Sequence, residues 1–194
     1  MISKISGVIL AGGQGRRMGG IDKGLRVLRG KSMVEWVLER FAPQVDEVLI
    51  NANQNLDVYA RFGRRVIPDE IGGFAGPLAG LQRGLSEARH PLVATAPCDT
   101  PFLPMDLVAR LREALETGAA QLAVARTGDQ PHPVFCLCRR EVLPHLTQSL
   151  AAGGRKIDAW YATLKVVEVL FDDQPEAFSN VNTLEELSAL EKSR

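Results

Sequence analysis

The sequence predicts a three-layer α/β/α domain built on a mainly parallel, twisted sheet with a small antiparallel element. Three observations lead there. Short apolar runs that read as buried strands alternate with amphipathic stretches, the pattern of a parallel sheet covered by helices on both faces. Loops rich in Gly, Pro, Asn and Asp follow these runs, at the strand ends where open α/β sheets collect ligands. Two of the later strand-like runs follow one another without a helical stretch between them, which leaves room for antiparallel pairing. No linker, repeat or low-complexity tract interrupts the pattern, so residues 1–194 are read as one domain.

The elements follow in chain order. Gly7-Val8-Ile9-Leu10-Ala11 is a short apolar strand that enters a glycine-rich loop. Ser32 caps a helix through Arg40, and Glu35, three residues on, completes a capping box. Val45 to Ile50 reads as a strand ending at Asn51-Ala52-Asn53, and Arg65-Val66-Ile67-Pro68 as a shorter one ending at Asp69. After the loop Gly72-Gly73-Phe74-Ala75-Gly76, Pro77 suits a first helical turn, where a missing N–H leaves no bond unmade. That helix reaches about Ala88 and carries Leu78, Leu81 and Leu85 on one face. Leu92-Val93-Ala94-Thr95-Ala96 is the strongest central strand, stopped by Pro97-Cys98-Asp99-Thr100-Pro101. Pro104 to about Glu116 is the next helix, followed by strands near 121–126 and 133–138. A helix over about 140–151, a break at Gly153-Gly154 and a strand over Leu164 to Val169 come next. The last helix starts at Leu184, with Thr183 as N-cap and Glu186 as its box partner.

Composition narrows the function classes. Lysine plus arginine number 23 and aspartate plus glutamate 23, so no whole-chain field draws in nucleic acid. The one dense cationic locus is Arg16-Arg17 with Lys23, set among glycines like a small phosphate site. Three cysteines, at 98, 136 and 138, make no disulfide framework and fit a reducing compartment. Cys136 and Cys138 with His132 and His145 invite a zinc reading, but a second ligand pair at zinc spacing is missing. Residues two apart share one face of a strand, so Val134 to Cys138 reads as a buried strand instead. Met1 to Gly7 has neither the apolar core nor the cleavage site of a signal peptide, and no apolar run approaches a membrane span. The expectation is a cytoplasmic protein without a membrane partner.

The chemistry concentrates in the first loop. Gly12, Gly13, Gly15, Gly19 and Gly20 let backbone N–H groups approach phosphate closely, and Arg16, Arg17 and Lys23 supply charge. A dinucleotide fingerprint started at Gly13 fails at its third glycine, where Met18 stands, and no acidic residue closes a second strand about 20 residues on. A P-loop started at Gly15 fails because Ile21 and Asp22 stand where Lys and Ser/Thr are needed. A third pattern fits: L-A-G-G-x-x-x-R-M-G followed by x-D-K, which resembles the signature of nucleotidyltransferases with the nucleotide-diphospho-sugar-transferase fold. In that family the loop wraps a triphosphate, and backbone groups at its start contact the base.

Further along, Asn51-Ala52-Asn53, Asp69, Gly76-Pro77-Leu78-Ala79-Gly80, Pro97-Cys98-Asp99-Thr100-Pro101 and Asn180-Val181-Asn182-Thr183 follow in one order. Taken together the set resembles the molybdenum cofactor guanylyltransferases, the bacterial MobA family, over nearly the whole chain. Gly15 departs from the Ser or Ala common in that family, and no role is given to its side chain or to Gln14. The resemblance implies a reaction in which the phosphate of Mo-molybdopterin attacks the α-phosphorus of GTP and releases pyrophosphate, with Mg²⁺ as cofactor. It also implies partners among cofactor insertion chaperones and molybdenum insertion enzymes.

The residues can be matched to those demands. Two anions must meet, so catalysis should rest on positioning and electrostatics. Asp99, a carboxylate ending the most buried strand, is the candidate Mg²⁺ ligand, or else a turn aspartate. Arg17 and Lys23 are the candidate phosphate cations, and Arg16 is either a second clamp or solvated. The resemblance assigns Leu10, Ala11, Gly12 and Gly13 to the nucleotide, with Asn51 and Asp69 close by. Asp69 suits guanine's N–H edge, a ribose hydroxyl or a turn cap. Asn180 and Asn182, two apart on an extended segment, are candidates for the acceptor side or for local loop bonds. Arg155 and Lys156 are candidates for the acceptor's phosphate or for a solvated loop, and His132 for the acceptor's cleft or for a proline-stiffened turn. The rival readings are a molybdopterin cytidylyltransferase, which usually carries L-A-A-G, a sugar-1-phosphate nucleotidyltransferase, usually longer and with G-x-G-T-R, and a non-catalytic cofactor-binding adaptor.

Overall fold

The computed structural model describes residues 3–13, 22–70, 76–181 and 186. Its first strand, β1 (Ile5–Leu10), is apolar on both faces and therefore lies inside a sheet rather than at its edge. Seven strands form that sheet: β1, β4 (Glu47–Asn51), β5 (Arg65–Ile67), β6 (Leu92–Pro97), β7 (Leu122–Thr127), β8 (Gln130–Arg139) and β9 (Val166–Leu170). Their order is β5-β4-β1-β6-β8-β7-β9. β8 runs antiparallel to both of its neighbours, and every other pair is parallel. The antiparallel element is thus one strand, reached from β7 by a tight turn at Gly128 and Asp129, with Gly128 at φ 51°.

Helices cover both faces. On one side α1 (Met33–Phe41) and α4 (Leu107–Thr117) bury Phe41, Leu107 and Leu111 with Ile5, Ile9 and Leu137 of the sheet. On the other, α3 (Pro77–Glu87) and α5 (Leu143–Ala151) bury Leu78, Leu85 and Leu146 with Val8, Leu49 and Val93. Neighbouring residues such as Val8 and Ile9 go to opposite cores because strand side chains alternate. Cys136 and Cys138 lie in this second core on β8, with Cys136 Sγ 3.2 Å from Thr95 Oγ1. No helix among the described residues is long and apolar enough to cross a membrane.

Several boundaries shift from the expected ones. The capping box forms on Ser32, whose N–H and Oγ–H both donate to the Glu35 carboxylate at 2.7 and 2.6 Å. α4 starts at Leu107 rather than Pro104, because Pro104 to Asp106 make a turn in which Leu107 N–H donates to Pro104 O. The helix expected over 140–151 is a 3₁₀ turn, Arg140–Val142, leading into α5, with Pro144 in its first turn. Two short helices, α2 (Leu56–Ala60) and α6 (Ile157–Tyr161), and a two-stranded ribbon of β2 (Val27–Leu28) and β3 (Lys31–Ser32), have no counterpart in the sequence reading. Five-residue helices are too short for periodicity to register. The ribbon turns at Arg29 and Gly30, both at positive φ, as a two-residue hairpin loop requires. The Thr183 cap and the helix start at Leu184 lie outside the described residues.

α3 can press onto β1 only because Gly84 has no side chain. A Cβ there would sit 2.7 Å from Cγ2 of Val8, a stiff and fully buried side chain. Gly84→Ala is expected to lower stability by about 1–2 kcal/mol in urea unfolding, overpacking outweighing the helix-propensity gain of about 1 kcal/mol. A more stable variant would show that α3 can move away from the sheet.

Candidate active site

Four parallel strands end level with one another. Leu10 pairs with Asn51 on one side and Pro97 on the other, and Asn51 pairs in turn with Ile67. Hydrogen bonding continues one step further, with Ala11 N–H donating to Asn51 O at 2.7 Å, Cys98 N–H to Leu10 O at 3.1 Å and Ala52 N–H to Ile67 O at 3.3 Å. The loops that begin at Gly12, Asn53 and Asp99 therefore leave the sheet side by side from fixed backbone.

Two asparagines grip Asp69. Asn51, only 2% exposed, donates from Nδ2 to Ile67 O at 3.0 Å and to Asp69 Oδ1 at 2.8 Å. Asn53 donates from Nδ2 to Asp69 Oδ2 at 2.8 Å and to Gly12 O at 3.4 Å, and its Oδ1 accepts from Asp69 N–H at 2.9 Å. Each amide thus uses both hydrogens, and the carboxylate is held at both oxygens with lone pairs to spare. Asn53 has no role in the sequence reading; the Asn51-x-Asn53 spacing was its one signal, and only the pairing of β4 with β5 brings it to Asp69 and Gly12.

Asp99 stands just past β6 and is 8% exposed. Lys23, in a 3₁₀ turn of Lys23–Leu25, places Nζ 3.2 Å from Asp99 Oδ2. Asp99 Oδ1 has no protein partner among the described residues. A carboxylate buried to this degree needs a cation, and losing it would leave a charge uncompensated. Leu10, Ala11, Gly12 and Gly13 are described at the end of β1, whereas Gln14, Gly15, Arg16 and Arg17 lie outside the described residues.

The candidate acceptor residues divide into two groups. Asn180 joins the wall beside Asp99: its Oδ1 accepts from Thr100 Oγ1 at 2.6 Å, and Val181 N–H donates to Asp99 O at 2.9 Å. The same segment reaches His132, whose ring stacks on Phe178 at 4.6 Å between centroids and 12° between planes. His132 Nε2 lies 2.7 Å from Thr127 Oγ1, and burial lowers the imidazole pKa. Arg155 and Lys156 lie between α5 and α6, on the face of the sheet opposite the His132 stack. There Arg155 Nη1 donates to Leu150 O at 3.0 Å and Gly154 O at 2.7 Å, closing the end of α5. Both line a groove of about 510 Å³ with His145, Gln148 and Trp160. Asn182 lies outside the described residues.

Comparison with known proteins agrees with the fold. The family described as "MobA-like NTP transferase domain" matches residues 7–166. A molybdenum cofactor guanylyltransferase of Shewanella amazonensis is 51% identical over 193 residues, covering 100% of this chain and 98% of the relative. One from Cupriavidus taiwanensis is 50% identical, covering 96% of each chain. The crystal structure of molybdopterin-guanine dinucleotide biosynthesis protein A from Archaeoglobus fulgidus superposes with a TM-score of 0.80 at 25% identity, covering 96% of this chain and 97% of that one. A 4-diphosphocytidyl-2C-methyl-D-erythritol synthase from Anaerococcus prevotii shares the fold, with a TM-score of 0.74 at 13% identity over 97% of both chains.

The His132 stack carries a pH signature. Its folded pKa is lower than the ordinary value of about 6.5, so between the two values the unfolded chain binds the extra proton. The neutral ring's contribution to stability is present above about pH 6.5 and is lost as pH falls toward the folded pKa. The unfolding midpoint of the native chain should therefore drop more steeply from about pH 7 to about pH 5 than that of His132→Gln. Parallel profiles would remove His132 as a buried neutral group.

Proposed function

The chain belongs to the MobA-like NTP transferase family, and we propose that it transfers GMP from GTP to the phosphate of Mo-molybdopterin, releasing pyrophosphate. The observation that carries this reading is the convergence of Lys23, Asp99 and the Asp69 clamp on one edge of the sheet, in a chain about half identical to guanylyltransferases along its whole length. An oxygen of the acceptor phosphate forms a bond to the α-phosphorus, the bond from that phosphorus to the β-bridging oxygen breaks, and pyrophosphate departs with the electron pair. No proton need pass through a side chain. The protein's work is then to bring two anions together and to hold the reacting phosphate in line.

Asp99 suits a divalent cation. One carboxylate oxygen meets Lys23 and the other has no protein partner among the described residues, while Mg²⁺ commonly binds through one or two carboxylates with phosphate and water. A Mg²⁺ held by Asp99 would neutralise charge on the phosphates. Lys23, at the same carboxylate, is in position to accompany the triphosphate, and Arg16 and Arg17 add charge to the same loop. Guanine offers N–H donors on one edge, and Asp69, fixed by Asn51 and Asn53, supplies matching acceptors; the backbone of Leu10 to Gly13 flanks it. Asn180, beside Val181 whose N–H donates to Asp99 O, and His132, stacked on Phe178, suit the acceptor side, and Asn182 is assigned there by sequence alone. Arg155 and Lys156 suit the acceptor's phosphate only if it extends around the sheet edge. Cofactor insertion chaperones and molybdenum insertion enzymes would receive the product.

The test supplies Mg²⁺, each nucleoside triphosphate in turn and a molybdopterin-loaded acceptor, and follows pyrophosphate release and the capped product. GTP alone should support turnover. A preference for CTP would replace the base assignment, and GTP binding without turnover under every acceptor condition would indicate an adaptor. Asp99→Asn should lower turnover by about 100-fold or more, and Lys23→Ala by a similar factor, with both variants still folded. Normal turnover in Lys23→Ala would remove Lys23 from the reaction.

A further inference from the structure

We infer that Tyr59 is a positioning residue for Lys23, acting through Asp22. Tyr59 is fully buried in α2, yet its hydroxyl ends at the edge of the active site and donates to Asp22 Oδ1 at 2.6 Å. The same Oδ1 accepts from Gly24 N–H at 3.1 Å, capping the 3₁₀ turn that carries Lys23. Asp22 Oδ2 accepts from Asn55 Nδ2 at 3.1 Å, and Asn55 holds a left-handed conformation at φ 52°, one that Asn and Asp tolerate. Beyond Lys23, Gly24 rests directly on the bracket. A Cβ at Gly24 would lie 2.4 Å from the Tyr59 hydroxyl and 3.2 Å from Cys98 Sγ, the residue before Asp99.

Lys23 is thus held between Asp22, which accepts the Tyr59 hydroxyl, and Gly24, whose N–H donates to the same Asp22 oxygen. Nothing else in α2 accounts for a tyrosine there. The ring packs edge-on against Phe62 at 6.3 Å, which a phenylalanine would do equally well. The hydroxyl is therefore spent on Asp22. Burial raises its pKa, which keeps it a donor. A lysine has four rotatable bonds, so a turn that fixes its backbone narrows where the ammonium can reach. The bracket narrows it to the neighbourhood of Asp99, where Nζ lies 3.2 Å from Oδ2.

This inference rests on the reading of Lys23 as a phosphate cation, and a double-mutant cycle separates the two. Tyr59→Phe, Lys23→Ala and the double variant are compared for unfolding midpoint, GTP affinity with Mg²⁺, and turnover. Tyr59→Phe should stay folded and lose roughly 10-fold in turnover, the scale of one hydrogen bond to a charged group. On the Lys23→Ala background the same substitution should cost nothing further, because the residues act in series. Asp22→Asn should lose a comparable factor, since its amide would face the Asn55 amide. Asp22→Asn with Asn55→Asp should recover most of the turnover by reversing that bond. Losses from Tyr59→Phe and Lys23→Ala that multiply would overturn the inference alone, as would a fully active Tyr59→Phe or a failed recovery by the swapped pair. A Lys23→Ala variant normal in both GTP affinity and turnover would overturn the Lys23 reading and this inference with it.

Discussion

The register of β1 between β4 and β6 is the constraint on which the rest of the molecule depends. With Leu10 opposite both Asn51 and Pro97, three loops leave the sheet at one level. A slip of one residue would turn Val8 and Ile9 toward the wrong cores, so the two apolar faces hold the register in place. The edge that carries the candidate site is therefore positioned by the hydrophobic core beneath it.

On that edge, polar groups are arranged in linked pairs. Asp99 meets Lys23, Asp69 meets Asn51 and Asn53, and Asp22 meets Tyr59 and Asn55. Each carboxylate that is withdrawn from water is held by donors from a different chain segment. Such pairing is what permits burial of charge without a large penalty. It also ties the loops after β1, β4 and β5 to one another.

The fold alone does not say which nucleotide is handled. The Anaerococcus enzyme shares the architecture at 13% identity, whereas the relatives near 50% identity are guanylyltransferases. Chemistry on such a scaffold is set by the loops at the strand ends. Here those loops carry Asn51, Asn53 and Asp69 on one side of β1, and Asp99 with Asn180 on the other.

Much of this was legible in the sequence. Short apolar runs exposed β1, β4, β5 and β6, Pro77 marked the start of α3, and their motifs singled out Lys23 and Asp99. What escaped was short or non-local. α2 and α6 have five residues each, too few for an amphipathic pattern. Asn53 and Tyr59 gain their meaning from partners 16 and 37 positions away. His132 and Arg155, both acceptor candidates from their local segments, go to opposite faces of the sheet, because the His132 stack and the α5–α6 connection pack on different cores. The sequence by itself determined the strand–helix alternation and the family, since these rest on residue type and local spacing. Only the tertiary structure decided which polar groups face one another, because hydrogen-bond partners are chosen by strand register and loop closure, and neither is written in the spacing of a single segment.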